Sequence, residues 1–375
     1  MNKRPVHIVE VMADPNSITY FNLFAERSKN HPEIKLSFIC LNDAEPPVLE
    51  DMKERGCDSY WVKFDASNRV RSWIGAYFQL KKLLKQLQPD VVHSHLFDDG
   101  VPTMMAAKSL GIRKRIHTKQ STTFNWFYAP KAVFLDRLIN RKATHLIAVS
   151  TEARQFLIEK ERADAGKIRL IHHGISFENL KKAGPEEVSE FKAKFQLEGK
   201  RVIGTVSRYI KWKGYIEFIE AASLISDKYP DVVFMGVGSG SQEDELRELI
   251  RKKGLEDRFI LTGWIDKKHI PAVFQSLDIY LHAAFMEPFG FVIPEAMINK
   301  VPIVTTPTGS ALDGLTHLES AYIAPYNNVE ALAAGMEYFL VNNRPDMVEK
   351  AYHSALEKYS INNMWENHLK LYLEA

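Results

Sequence analysis

The sequence predicts an α/β protein made of two Rossmann-like domains. Three observations carry that prediction. Short apolar runs alternate with amphipathic helical stretches, the pattern of a parallel sheet with crossover helices. The alternation pauses near His172 and starts afresh at Arg201-Val-Ile-Gly-Thr-Val-Ser207. A length of 375 residues is also about two domains' worth.

In the first half, Val6–Met12 reads as a buried strand, and helical periodicity resumes from about Thr19. Leu36–Leu41 and Tyr60–Phe64 are the next strands, residues 69–87 a helix, and Asp90-Val91-Val92-His93 opens another strand. Pro102–Leu110 reads as helical, Arg115–Thr118 as extended, Val133–Asn140 as helical and Leu146–Val149 as extended. Ser150 is placed to cap a helix running through Ile158, and Lys167–Ile171 is a last short strand. The domain is expected to span 1–175, followed by a polar, helical connector over 176–199.

The second domain, expected over 200–346, continues through a helix at 213–228, a strand at Val232–Gly236 and a helix at 242–253. Strand Phe259–Leu261, helix 268–276, strand 278–283 and helix 294–299 follow. Pro302–Thr305 and Ala321–Ile323 are the last strands, and Val329–Leu340 is a helix. Residues 347–375 read as C-terminal helices with Trp365 and Tyr372 as apolar anchors.

The composition, 45% hydrophobic and 26% charged, is that of a soluble globular chain. Two cysteines, Cys40 and Cys57, stand in no metal-binding spacing and fit a reducing compartment. The apolar run after Lys3-Arg4 is broken by His7 and Glu10, so it reads as a first strand rather than a signal peptide. No stretch approaches the roughly 20 apolar residues of a membrane span. A cytoplasmic protein is expected. The net charge of +2 conceals an asymmetry: residues 1–172 carry 27 Lys and Arg against 19 Asp and Glu, the remainder 22 against 28. A basic first half suits an anionic surface or substrate.

The most informative stretch is Phe285-Met-Glu-Pro-Phe-Gly-Phe-Val-Ile-Pro-Glu-Ala296. It reads as the end of a strand, a tight turn at Gly290, and a helix N-terminus with Pro294 in its first turn. A helix N-terminus suits a phosphate, whereas the carboxylates Glu287 and Glu295 suit vicinal hydroxyls of a sugar or ribose. Together they are shaped for a nucleotide sugar. An ordinary βα turn with two solvated glutamates is the plainer alternative.

The run Glu287-Pro-Phe-Gly-Phe-Val-Ile-Pro-Glu295 resembles the E-x7-E motif of the retaining GT-B glycosyltransferases, specifically family 4. The resemblance implies a GT-B fold: two Rossmann-like domains facing a cleft, with C-terminal helices crossing back to the first. It covers the whole chain, with most of its specificity in the second half. It implies that Glu295 binds the donor's ribose hydroxyls and Glu287 the hydroxyls of the transferred sugar. The backbone of Phe289, Gly290 and Phe291 then lies against sugar and diphosphate.

Other segments fit the same frame. Ser207-Arg208-Tyr-Ile-Lys-Trp-Lys213-Gly214 is similar to the family's G-R-x-x-x-x-K-G, with Ser207 for the first Gly. Arg208 and Lys213 would sit in a loop at the carboxyl edge of the sheet and neutralise a diphosphate leaving group. Gly236-Val-Gly238-Ser-Gly240 lacks the third Gly of a dinucleotide fingerprint, which opposes a nicotinamide enzyme; the family has a Gly turn near the nucleotide here. Trp264 or Ile265 falls where the family places a base-contacting residue. Thr305-Thr-Pro-Thr-Gly309-Ser310 is a second turn, expected to close a wall of the site.

On the acceptor side, Pro89-Asp90-Val91-Val92-His93-Ser94-His95 resembles P-D-V-V-H-x-H, with His95 expected to face the site and His93 to be structural. Asp98-Asp99 reads as a solvated loop. The chain departs from the family at Ile116-His-Thr-Lys-Gln120-Ser, where Gln120 occupies the place of the usual His. Gln120 or Lys119 is left to orient sugar hydroxyls. Ala13-Asp14-Pro15-Asn16-Ser17 replaces the usual Gly-rich loop.

The basic and aromatic helix over 69–87, with Arg113-Lys-Arg115 and Phe124-Asn-Trp126-Phe127-Tyr128, suits an anionic membrane surface, peripheral on its inner face, and a lipid-linked acceptor. An amphipathic core helix with solvated lysines is the alternative. The function implied is transfer of a sugar from a nucleotide-diphosphate sugar, UDP before GDP, to a hydroxyl acceptor in cell-surface polysaccharide or glycolipid synthesis. No metal, other cofactor or nucleic-acid partner is implied. A GT-B epimerase or hydrolase and a non-catalytic nucleotide-sugar binder remain as alternatives.

Overall fold

The computed structural model describes residues 4–13, 18–120, 124–177 and 182–374. The chain forms two compact units, one of residues 1–171 with 364–375, the other of residues 172–363.

The first unit holds strands β1 Val6–Ala13, β2 Ile34–Asn42, β3 Asp58–Lys63, β4 Val91–Ser94, β5 Lys114–Lys119, β6 His145–Ala148 and β7 Ile168–Leu170. Its helices are α1 Ile18–Ser28, α2 Val48–Glu54, α3 Arg69–Leu87, α4 Phe97–Ser109, α5 Phe124–Tyr128, α6 Val133–Lys142 and α7 Thr151–Glu159. The strands form one parallel sheet in the order β3-β2-β1-β4-β5-β6-β7. Near-continuous burial of β1 and β4 is what a parallel sheet covered on both faces requires. Right-handed crossovers place α3, α4 and α6 on one face, α3 packed on α4 and α4 on α6. Val9, Val11, Ile39, Ala76, Leu80, Leu84 and Val92 form a core cluster between sheet and helices.

The second unit begins with α8 Pro185–Lys194 and holds a second parallel sheet. Its strands are β8 Arg201–Val206, β9 Val232–Val237, β10 Phe259–Leu261, β11 Ile279–His282, β12 Ile303–Thr305 and β13 Tyr322–Ile323, in the order β10-β9-β8-β11-β12-β13. Between and after them lie α9 Tyr215–Ile225, α10 Glu243–Lys252, α11 Ile270–Gln275, α12 Val292–Ile298, α13 Gly309–Gly314, α14 Val329–Val341 and α15 Pro345–Lys358. The last helix, α16, spans Ile361–Leu373.

Several elements differ from the sequence reading. Residues 347–363 belong to the second unit, α15 packing on α12 and α13, so the return to the first unit starts at Met364 rather than at 347. The expected connector also groups with the second unit, α8 packing on α11. Helix α4 begins at Phe97, because Asp99 is not solvated. It is buried and accepts the backbone N–H groups of Ala13, His95 and Leu96, pinning the helix N-terminus to β1 and β4. Helix α12 starts at Val292, two residues before the expected start. Residues 14–17, which stand in place of the usual Gly-rich loop, lie outside the described residues.

Candidate active site

In the second unit, strand order reverses between β8 and β11, β9 and β10 lying to one side and β12 and β13 to the other. Loops leaving the carboxyl ends of two such strands diverge and open a crevice, the usual ligand position of a doubly wound sheet. The loop after β8 carries Arg208 and Lys213, and the loop after β11 carries Glu287 to Phe291. The sequence thus brings two cations and a carboxylate to the switch point.

Lys213 Nζ donates to the Glu287 carboxylate in a salt bridge with both side chains mostly buried. Gly214 makes this approach possible. It has φ +73°, and a Cβ there would lie 2.2 Å from the Ala283 carbonyl oxygen. Arg208 is exposed, and among the described residues its side chain has no ion-pair partner.

The turn after Glu287 is held from several sides. Gly290 takes φ +80°. The Ser310 N–H donates to the Phe289 carbonyl at 2.6 Å, and Ser310 Oγ to the Gly290 carbonyl at 3.0 Å. Gly309 lies so close that a Cβ would stand 2.3 Å from the Phe289 oxygen. Phe289 is buried, whereas Phe291 is exposed and stacks on His173 with ring centroids 5.1 Å apart. Tyr359 Oη donates to the Ser310 carbonyl at 2.7 Å, fastening the second turn in place. The expectation that 305–310 walls the site becomes specific here: its residues clamp the 287–290 backbone. His173 and Tyr359 were not singled out beforehand; for His173, the His172-His173-Gly174 run where the first domain ends was the available signal.

Glu295 lies in the first turn of α12 and is partly buried. Burial pushes its carboxyl up to about 7, with Lys267 acting the other way. Trp264 and Ile265 lie in the loop after β10; Trp264 is 71% exposed, so it is not a core residue. Gly236, expected in a glycine turn near the nucleotide, lies within a strand instead. It is a buried residue of β9 whose carbonyl accepts from Tyr209 Oη at 2.8 Å, and a Cβ there would meet the Tyr215 ring at 2.8 Å. It makes room for packing. Gly238 and Gly240 are the close-approach positions, their Cβ places lying 1.9 and 2.4 Å from the carbonyl oxygens of Ser207 and Tyr209.

The first unit has its own switch point, between β1 and β4. A cavity of about 630 Å³ opens there, lined among others by Ala13, Asn42, Arg69, His95, Asp98, Lys119, Gln120 and Asn125. His95 and Gln120 both line this cavity, His95 fully buried and Gln120 just past the end of β5. Lys119 is not available to orient sugar hydroxyls. Its ammonium is buried, 2.8 Å from Asp136 and 2.5 Å from Glu161. Asp98 is not solvated either; it pairs with Arg69 at 3.3 Å.

Beneath the cavity lies a buried polar network. His95 Nε2 is 2.6 Å from Glu10, Tyr372 Oη donates to Glu10 at 2.7 Å, and His93 bridges Tyr372 at 2.8 Å and Thr118 at 2.7 Å. Burial pushes Glu10 up, but His93 and His95 outweigh it and hold the carboxyl well below the usual range. His93 is thus structural, as expected. Among the described residues Glu10, His93 and His95 are the group whose ligand atoms lie close enough together for a metal. Those atoms are already joined by hydrogen bonds to one another and to Tyr372, a satisfied network rather than an open coordination site.

Each of the two parallel sheets carries polar and charged residues at its carboxyl edge, the usual ligand position of a doubly wound α/β fold. Residues 187–355 match the family model for glycosyl transferases group 1, and residues 33–179 that for glycosyltransferase family 4. The chain is 25% identical to the 2-deoxystreptamine glucosyltransferase of Streptomyces kanamyceticus over 74% of its length and 76% of that protein's. It is 26% identical to the UDP-Gal:alpha-D-GlcNAc-diphosphoundecaprenol alpha-1,3-galactosyltransferase of Escherichia coli, over 60% of each chain. The crystal structure of Anabaena Alr3699/HepE in complex with UDP and glucose shares the fold, with TM-score 0.79 and 17% identity over 97% of this chain and 98% of that one. The chain belongs to the GT-B glycosyltransferases of family 4.

Proposed function

We propose that the protein transfers a sugar from a nucleotide-diphosphate sugar, a UDP-sugar first, to an acceptor hydroxyl with retention at the anomeric carbon. The supporting observation is the Lys213–Glu287 pair at the switch point of the second sheet, with Arg208 exposed on the same loop as Lys213. The diphosphate competes for Lys213 and Arg208, and Glu287, released, accepts hydrogen bonds from the sugar's hydroxyls. Glu295 takes the ribose hydroxyls, the backbone at 289–291 lies against sugar and diphosphate, and Trp264 and Ile265 stand nearest the base.

In the reaction the bond from the anomeric carbon to the diphosphate oxygen breaks. A bond to the acceptor oxygen forms on the same face. The acceptor's proton passes to the departing diphosphate, so no carboxylate attacks the sugar. Arg208 and Lys213 stabilise the charge that develops on the leaving group, the task a divalent cation performs elsewhere, and the reading needs no metal. His95 and Gln120, in the first unit's cavity, act on the sugar or acceptor side.

The relatives' names include 2-deoxystreptamine and a diphosphoundecaprenol-linked sugar, and cell-surface glycan synthesis on the cytoplasmic side is the setting we favour. Thermal shift against UDP-, GDP- and ADP-sugars tests the donor. A shift with one donor, lost in Glu295→Ala, supports the reading; no shift with any donor overturns it. Activity abolished by EDTA and restored by magnesium overturns the metal-free part.

A further inference from the structure

Helix α3 has two faces. Ala76, Leu80 and Leu84 are buried against the sheet. On the opposite side Val70, Ile74 and Phe78, at i, i+4 and i+8, are 68%, 58% and 65% exposed. Arg71, Lys82 and Lys85 are exposed on this same outer side. A solvent-facing helix side normally carries polar residues alone, so three large apolar side chains in register amount to an uncovered stripe.

A second such element lies on the same face of the first sheet. Phe127 of α5 and Phe134 of α6 are 63% and 70% exposed, with Tyr128 beside them. Exposed Lys131 and Arg141 supply positive charge there. The layer runs α3, α4, α6, and both elements reach the cavity described above: Arg69, the first residue of α3, and Asn125 of α5 line it. The cavity therefore begins where the apolar stripe begins. Among the described residues no helix is long and apolar enough to cross a membrane.

We propose that this face docks on an anionic lipid bilayer, the exposed Ile, Val and Phe side chains entering the acyl boundary and the Arg and Lys side chains meeting lipid phosphates. Interleaved apolar and basic side chains on one helix side match a surface that is apolar below and negative above, a complementarity that a neutral aqueous partner does not have. The proposal rests on the glycosyltransferase reading only for what it says about the acceptor: the cavity would face the bilayer and receive a head group carried there.

The experiment is flotation of the full chain with phosphatidylglycerol/phosphatidylcholine vesicles and with pure phosphatidylcholine vesicles, wild type beside Ile74→Ser/Phe78→Ser. Wild type is expected to float with the anionic vesicles only, and less so at high salt. The double variant is expected to partition about a hundredfold less, since two large apolar side chains no longer leave water. Its thermal midpoint and its donor-induced thermal shift are expected to stay as in wild type, because both side chains lie on the protein surface. Wild type that fails to float, or a variant that floats equally well, overturns the proposal. So does a wild-type dimer that the variant dissolves, which would make this face a contact between copies of the chain. Loss of the donor shift with flotation intact would overturn the donor reading and leave the docking face standing.

Discussion

Lys213 and Glu287, 74 residues apart in the chain, meet as a salt bridge where the loops after β8 and β11 converge. In the proposed reaction both partners must exchange this contact for the donor, Lys213 for a phosphate and Glu287 for hydroxyls. Lys213→Ala is expected to lower kcat by about a hundredfold to a thousandfold, the usual cost of one donor to a developing charge, with a smaller change in KM. Glu287→Gln is expected to lower kcat as well. The double variant should cost no more than the worse single one, because each loss leaves the other group misplaced. Steady-state kinetics on the three proteins checks this, and strictly additive losses would contradict a shared role.

Glu295 gives a prediction in which stability and binding move oppositely. Its carboxyl is pushed from the ordinary 4.5 to about 7 by burial. A raised carboxyl stabilises the native state fully below pH 4.5, and that contribution is lost as pH rises through about 7. At pH 8 the native state holds a desolvated carboxylate. The full shift corresponds to about 3 kcal/mol, and partial solvent access reduces this to about 1–2 kcal/mol. Glu295→Gln is expected to raise Tm at pH 8, to match wild type near pH 4.5, and to lose most of the donor-induced thermal shift. A variant less stable than wild type at pH 8 would show that the carboxylate is satisfied within the protein.

Gly309 tests whether the clamp on the 287–290 turn matters for activity. Its φ is +45°, and a Cβ would press on the carbonyl oxygens of Phe289 and Glu287 at 2.3 and 2.6 Å. Gly309→Ala is expected to cost about 1–3 kcal/mol and to lower activity by moving the turn. Gly254→Ala is the control. That glycine has φ +66° but open space around it, so it should lose about 1 kcal/mol and keep its activity. Thermal unfolding and kcat of both proteins decide; full activity in Gly309→Ala would sink the clamp.

Local pattern made some of this legible and hid the rest. Helix α3 was readable to the residue because its buried face repeats at helical spacing over 69–87. Arg208, Lys213 and Glu287 were legible as loop residues because each loop follows an apolar strand, and Glu295 as a residue of a helix start because Pro294 precedes it. Asp99 was not, since nothing near it in sequence reveals that the ends of β1 and β4 send their N–H groups to it. Lys119 likewise reads as free to orient sugar hydroxyls until Asp136 and Glu161 close around it. The extent of the C-terminal return was misplaced for a similar reason. Both α15 and α16 have an apolar face, and only packing shows that α15 stays with the second unit.

The last prediction concerns acid. His93, His282 and His368 are lowered to about 4, 3 and 3 by burial, and His117 lies well below its ordinary value for the same reason. A lowered imidazole stays neutral in the native state while the unfolded chain takes up a proton below pH 6.5, so stability falls as pH drops through that window. Two carboxyls run the other way, Glu295 and Asp99, both raised to about 7 by burial. The unfolded imidazoles are half protonated at about pH 6.5 and almost fully at about pH 5, whereas the two carboxyls are already mostly protonated in the native state. The net uptake on unfolding therefore grows from about half a proton near pH 6.5 to about two near pH 5, or from about 1 to about 3 kcal/mol per pH unit. Glu10, held down by His93 and His95, adds to the loss only below about pH 4.5. Urea unfolding at pH 7, 6 and 5 is expected to show stability falling throughout. Tyr372→Phe removes the hydroxyl that joins Glu10 to His93, and should cost about 1–3 kcal/mol already at pH 7. A flat profile from pH 7 to 5 would mean that water or protons reach the buried imidazoles of the native state, and that the network under the first unit's cavity is open rather than sealed.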